Sequence, residues 1–175
     1  MNAYAKGLTG GHTNSNGPLQ ASWALQKFPA AAEIIYYSGA GWSASDFAAF
    51  QTMLTKQYLN SMTAASVATT NGNWAMTVIS AWFGIAVVTE DQQLYNTAVA
   101  ALKEAIPAYF YYFPEDGATY KTSVLVSKNW NGQTIFNAAT SGITQETCRD
   151  LQHAQFGVAG AFNALETAFI QGTDL

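Results

Sequence analysis

The residues best suited to chemistry lie near the end of the chain, in Thr144-Gln145-Glu146-Thr147-Cys148-Arg149-Asp150-Leu151-Gln152-His153, running on to Gln171-Gly172. At about 100° per residue, Arg149, His153, Phe156, Gly157 and Gly160 share one helical stripe, with Glu146 beside it. A guanidinium can hold an anionic group and an imidazole can move a proton at neutral pH. Glycines beneath them would let another molecule lie close to the backbone. The opposite face, Leu151, Val158, Phe162, Leu165 and Phe169, is expected to be the buried seam. The same spacing also fits a solvated Arg/His pair over small residues that let two helices approach.

The elements that must position such a stripe belong to a folded chain. Its 175 residues are 49% hydrophobic and only 10% charged, which is enough apolar surface for one domain spanning 1–175. A net charge of -4, with seven scattered Lys and Arg, argues against nucleic acid as a partner. Cys148 is the sole cysteine, so neither an intrachain disulfide nor a cysteine metal site can form. It reads as a small buried side chain on a helix. His12 and His153 are too far apart for the usual zinc spacing, and neither a metal nor another cofactor is expected. No apolar run reaches the length of a membrane span, so no membrane contact is expected. Met1 is followed by Asn2 and Lys6 without an apolar signal core, so the chain as given carries no export signal.

Helical periodicity dominates. Residues 1–17 are rich in Gly and Asn and read as loop. Leu19 to Tyr37 is helix-compatible, with Pro29 expected to kink or divide it, and Ser43 caps a helix that buries Phe47, Phe50, Met53 and Leu54. Ser61 to Gly72 reads as loop. Asn73 to Val88 is apolar except for Asn73, Thr77, Ser80 and Gly84, a narrow polar stripe. Thr89-Glu90-Asp91-Gln92 matches a capping box, so the next helix starts at once and runs to about Ile106, before Pro107, as an antiparallel partner. Pro107 to Ile143 changes character: an aromatic run at 109–113, a turn at 114–117 and weak strand-like alternation over Tyr120–Ser127. So long a connection suits a lid or binding loop, or else aromatic packing over the helix ends. The predicted class is all-α, antiparallel helix hairpins with one long aromatic loop.

Two segments resemble the alginate lyase domain family of polysaccharide lyases. Gly72-Asn73-Trp74, opening an apolar helix that continues to Glu90-Asp91, is similar to the helix that presents an active-site asparagine in that family. Arg149-Asp150-Leu151-Gln152-His153, with the Gln171-Gly172-Thr173-Asp174-Leu175 ending, resembles its Arg-Asp-x-x-His helix and terminal motif. Ala31-Ala32-Glu33-Ile34-Ile35 and Gly41-Trp42-Ser43 extend the similarity over most of 19–175. The resemblance implies an incomplete (α/α) toroid, a partial chain of a longer protein, extracellular or periplasmic, acting on an anionic polysaccharide such as alginate or polyglucuronate.

Such a lyase breaks a uronate polymer by β-elimination. The charge building on the substrate carboxylate must be neutralised, a base must take the adjacent proton and an acid must protonate the leaving oxygen. On the resemblance, Asn73 and Arg149 neutralise and His153 is the base or its helper, while Trp74, Glu146, Asp150 and Tyr112 would contact substrate. The chain departs from the family at two places: Trp74 stands where a histidine is expected, and Phe156 where a catalytic tyrosine is. A tyrosine of the aromatic loop, Tyr111, Tyr112 or Tyr120, would then supply the proton. Two other classes compete: a non-catalytic carbohydrate-binding remnant, and a glycoside hydrolase drawing on Glu146, Asp150 and Asp116.

Overall fold

The computed structural model describes residues 1–68 and 70–175. Everything is arranged around one nearly all-apolar helix, which is buried on almost every side. The α-helices in chain order are α1 (Asn2–Gly7), α2 (Gly17–Leu25), α3 (Phe28–Tyr37), α4 (Ala44–Met53), α5 (Ala64–Val67), α6 (Gly72–Thr89), α7 (Gln92–Tyr109), α8 (Phe113–Asp116) and α9 (Leu151–Ile170). No β-strand occurs among the described residues, and the all-α class holds. Helix α6 is the centre: Met76, Val78, Ile79, Phe83 and Ile85 are fully buried, and α2, α3, α7 and α9 pack around it. By length and composition α6 could cross a membrane, which the sequence reading missed, but 78% of that window is buried inside the fold.

Local signals explain most boundaries. The break between α2 and α3 falls at Gln26-Lys27, before Pro29, because proline is tolerated in a first turn where its missing N–H has no helical partner. Ser43 caps α4, its hydroxyl accepting from the Asp46 N–H at 3.1 Å. Glu90 ends α6 in the left-handed conformation at φ 56°, and Asp91 caps α7 by accepting from the Leu94 N–H at 2.9 Å, so the expected box reduces to a single acid. Helix α7 continues past Pro107 to Tyr109. Residues 2–7 form a short helix where loop was expected, and Asn2 binds Trp42 and Asp46.

Two expectations fail at the C-terminal segment. Helix α9 begins only at Leu151, with Asp150 as its cap, so Glu146 and Arg149 sit in the preceding turn and not on the helical stripe. The turn forms because the Arg149 and Asp150 N–H groups fold back on the Glu146 carbonyl at 2.9 and 3.3 Å. Cys148 rides on this turn and is exposed.

The faces of α9 are also reversed. Its buried side is the small-residue one, Ala154, Gly157, Gly160, Ala161, Ala164 and Ala168, whereas Phe162 and Phe169 are 65% and 72% exposed. Close approach to α6 decides this. A Cβ on Gly160 would lie 2.9 Å from the Met76 carbonyl carbon and 3.0 Å from the Thr77 nitrogen, and one on Gly157 would overlap the Tyr109 hydroxyl. Two helices in such contact have no room for large side chains between them, so the bulky residues are turned outward.

Replacing glycine by alanine inside a helix ordinarily gains about 1 kcal/mol. At Gly157 the overlap with Tyr109 reverses the sign, and Gly157→Ala should destabilise by about 1–3 kcal/mol. Urea unfolding checks it: the midpoint should fall in the single variant, and the same change should be neutral or stabilising in a Tyr109→Ala background.

Candidate functional site

The N-terminus of α6 has no cap of its own, since the Asn71 side chain makes no capping bond. Two side chains far along the chain supply it. The Gly72 N–H donates to Gln145 Oε1 at 2.7 Å, and the Asn73 N–H donates to Glu146 Oε2 at 3.0 Å. A carboxylate is the favoured partner there because the free N–H groups and the helix dipole both present positive charge. The Asn73 Nδ2 amide adds a 2.6 Å bond to Glu146 Oε1, Arg149 Nη1 an ion pair of 2.9 Å to the same oxygen, and the Tyr109 hydroxyl a 3.3 Å contact to Oε2.

Glu146 is wholly buried and Asn73 nearly so. Asn73 and Arg149 therefore do converge on one carboxylate, as the resemblance implied for a substrate, but the carboxylate is the chain's own. The sequence reading placed Glu146 against substrate; the structure places it inside this cluster. Tyr109 was not singled out. Its ring is seated where any Cβ on Gly72 or Gly157 would overlap it, and its hydroxyl also lies 3.4 Å from the Ala154 carbonyl. Burial, reinforced by the Glu146 charge, pushes its phenol far above the usual range.

The second half of the site is open. Asp150 accepts from the His153 N–H at 2.8 Å, and its carboxylate holds His153 Nδ1 at 2.7 Å. Those bonds, the backbone one first, keep the Asp150 carboxyl below its ordinary value, with the Arg149 charge helping. An ionised Asp150 only accepts, so Nδ1 is the donor in this contact and Nε2 points away from it. The His153 and Arg149 side chains remain about one-third exposed, and Arg149 Nε lies 4.0 Å from Asp150. Phe156, one turn beyond His153, is partly exposed and stacks on Trp23 of α2 with ring centroids 5.7 Å apart.

The remaining predicted residues lie elsewhere. Trp74 packs partly buried against the core. Tyr111 is buried, donates its hydroxyl to the Gly117 carbonyl at 2.6 Å and packs on Phe136. Tyr120 lies against Trp130 and Phe136, and 120–127 is irregular chain, not strand. Tyr112 is exposed, its N–H bonded to Asp116 at 2.6 Å. The long connection is tied to the helices at several points: Glu104 accepts from Ser123 and Val124, Gln145 donates to the Ser127 carbonyl, and Phe110 pairs with Thr144. No protein-family profile, curated protein or solved structure matches the chain.

Two outcomes follow from the buried cluster. Glu146→Ala strands an ion-paired guanidinium and two amide donors, and should lower unfolding free energy by about 3–5 kcal/mol; denaturant titration measures it. Tyr109 keeps its proton in the fold when the unfolded chain has lost it, so its contribution is present below about pH 10 and is lost as pH rises further. Tyr109→Phe should therefore flatten the alkaline fall in stability by about 1.4 kcal/mol per pH unit, read from urea unfolding between pH 8 and 11.

Proposed function

We propose that the exposed Asp150, His153 and Arg149 group is the centre of a uronate-polymer lyase acting by β-elimination on alginate or polyglucuronate. The observation that carries this is an imidazole oriented by a carboxylate that a part-exposed guanidinium also approaches. His153 Nε2, in the neutral imidazole, takes the proton next to the substrate carboxylate and, as the imidazolium, returns it to the leaving glycosidic oxygen as the C4–O bond breaks and the C4–C5 double bond forms; Arg149 Nη2, which has no partner among the described residues, offsets the charge that builds on that carboxylate. Asn73 and Glu146 act one layer further in, holding Arg149 in place. The aromatic surface of Phe156 and Trp23 suits the apolar face of a pyranose ring.

The arrangement of helices is in keeping with an incomplete (α/α) toroid. Asn73 meets Glu146 just ahead of α9, Gly160 meets Met76, Thr77 bonds Ser22 at 3.1 Å and Gly84 meets Pro29. Helices α2–α3, α6 and α9 thus run in one direction while α7 returns, the pattern of successive hairpins.

A second reading, binding without turnover, is favoured by a different observation. The Asn73 amide and one guanidinium nitrogen are already committed to Glu146, and Tyr109, Tyr111 and Tyr120 are engaged with Glu146, Gly117 and Trp130 respectively. One experiment separates the two. Alginate and polyglucuronate are offered to the protein while absorbance of the unsaturated product is followed in the ultraviolet. The lyase reading expects product, with His153→Ala lowering turnover by about 10²-fold or more and Asp150→Asn lowering it less. Oligouronate binding that depends on Arg149, with no product, establishes the second reading; neither product nor binding removes both.

A further inference from the structure

Helix α9 carries an apolar seam that the fold leaves largely in solvent. Leu151, Val158, Phe162, Leu165 and Phe169, with Gln155 in the one polar place, recur at alternating steps of four and three. That alternation is the mark of two helices packed lengthwise, and it runs the whole helix. Yet Leu151, Phe162 and Phe169 are 72%, 65% and 72% exposed, and α6, against which α9 buries its glycines and alanines, lies on another side. His153 falls roughly opposite the seam at about 100° per residue, so the group described above is separate from it.

The seam is large enough to hold a partner. At about 200 Å² for a phenylalanine and about 120 Å² for a leucine side chain, Phe162, Phe169, Leu151 and Leu175, the last 40% exposed, leave about 400 Å² of apolar surface. Homodimer interfaces are about 65% apolar, which makes this the apolar share of about 600 Å² per copy. Two such copies bury about 1,200 Å², the lower bound of specific, stable interfaces. The part-exposed Val158 and Leu165 add to it.

The order of side chains along the seam sets the occupant. Laid antiparallel on a second copy, with the twofold axis at the level of Gly160, the seam brings Phe162 against Val158, Phe169 against Leu151 and Leu165 against Gln155 of the second copy. Each phenylalanine then meets a smaller aliphatic side chain, the large-to-small matching that packed layers need, whereas a parallel pair would set each phenylalanine on itself. Phe162, Leu165, Phe169 and Leu175 already border a hollow of about 320 Å³, a hole for Leu151 of the second copy to fill as a knob. No charged residue lies in the seam, and beside it Glu166 comes against Gln152 of the second copy, an acceptor against a donor, so no like charges meet along it. We propose that this chain forms a twofold homodimer by antiparallel packing of α9 on α9 of a second copy.

The test is the mass of the whole chain in solution, by light scattering on a sizing column and by sedimentation equilibrium from about 1 to 100 μM. A species of twice 18.8 kDa is expected within that range. The paired changes Phe162→Gln and Phe169→Gln, both at exposed positions, should raise the dimer dissociation constant by about tenfold or more. So should Ala159→Glu, which brings two carboxylates together beside the axis. Ile170→Gln, exposed but about 100° round the helix from Phe169, and His153→Ala should leave it unchanged, so the result stands or falls apart from lyase activity. In a Cys148→Ser background a short bis-maleimide should join Gln152→Cys chains to Glu166→Cys chains, and should not join Glu166→Cys chains to one another. A monomer at every concentration, a dimer indifferent to both seam variants, or joining of Glu166→Cys chains to themselves would overturn the assignment.

Discussion

The buried Glu146 carboxylate is the contact on which the rest of the molecule depends. It joins three segments that are remote in sequence: the start of α6, the end of α7 through Tyr109, and the turn ahead of α9 through Arg149. A carboxylate without water must be met by charge and by donors, or its desolvation cost is not offset. Here the helix terminus, an amide, a guanidinium and a phenol meet it together. That requirement fixes where α9 starts, because the chain must turn at 146–149 to bring both Glu146 and Arg149 to α6 before it can become helical. From that start α9 runs against α6 so closely that only its small-residue face fits between them.

The helices were legible in the sequence because they are written in local terms. Pro29 in a first turn, Ser43 before a helix, Asp91 after a left-handed Glu90 and the apolar run of α6 each act within a few residues. What could not be read was the face of α9. Apolar periodicity assigns Phe162 and Phe169 to the core, and by itself that is the sound inference. The opposing signal is Gly157, Gly160, Ala161, Ala164 and Ala168, which marks a helix closely apposed to another, and the choice between the two stripes depends on a partner that sequence does not identify. The polar stripe of α6 fared better: Asn73, Thr77 and Ser80 each meet a polar neighbour or a cleft, and Gly84 is taken up by Pro29.

The site was legible in composition but not in depth. Spacing picked out Glu146, Arg149 and His153, the resemblance added Asn73 and Asp150, and the structure links the five in one run of contacts. It divides them between a sealed half and an open one. Tyr109 escaped notice because it stands in a run of aromatic residues where any one looks like packing, and its role appears only when Gly72 and Gly157 are seen to make room for it.

This division bears directly on chemistry. An anion clamp formed by a helix terminus, an amide and a guanidinium can hold one carboxylate, and here that carboxylate is internal. On the proposed reading an acidic sugar would be gripped by what the clamp leaves over, namely the outer nitrogen of Arg149 and the imidazole of His153. Two charges of opposite sign already flank Arg149, so its field toward solvent is partly cancelled, and a single sugar carboxylate would be held weakly by charge alone. Affinity for a polymer would then have to come from several shallow contacts along the α2–α9 surface, with the Trp23–Phe156 pair the first of them. On the proposed reading such a surface would favour long chains over single sugars, because each added residue contributes contact area while its carboxylate can stay in water.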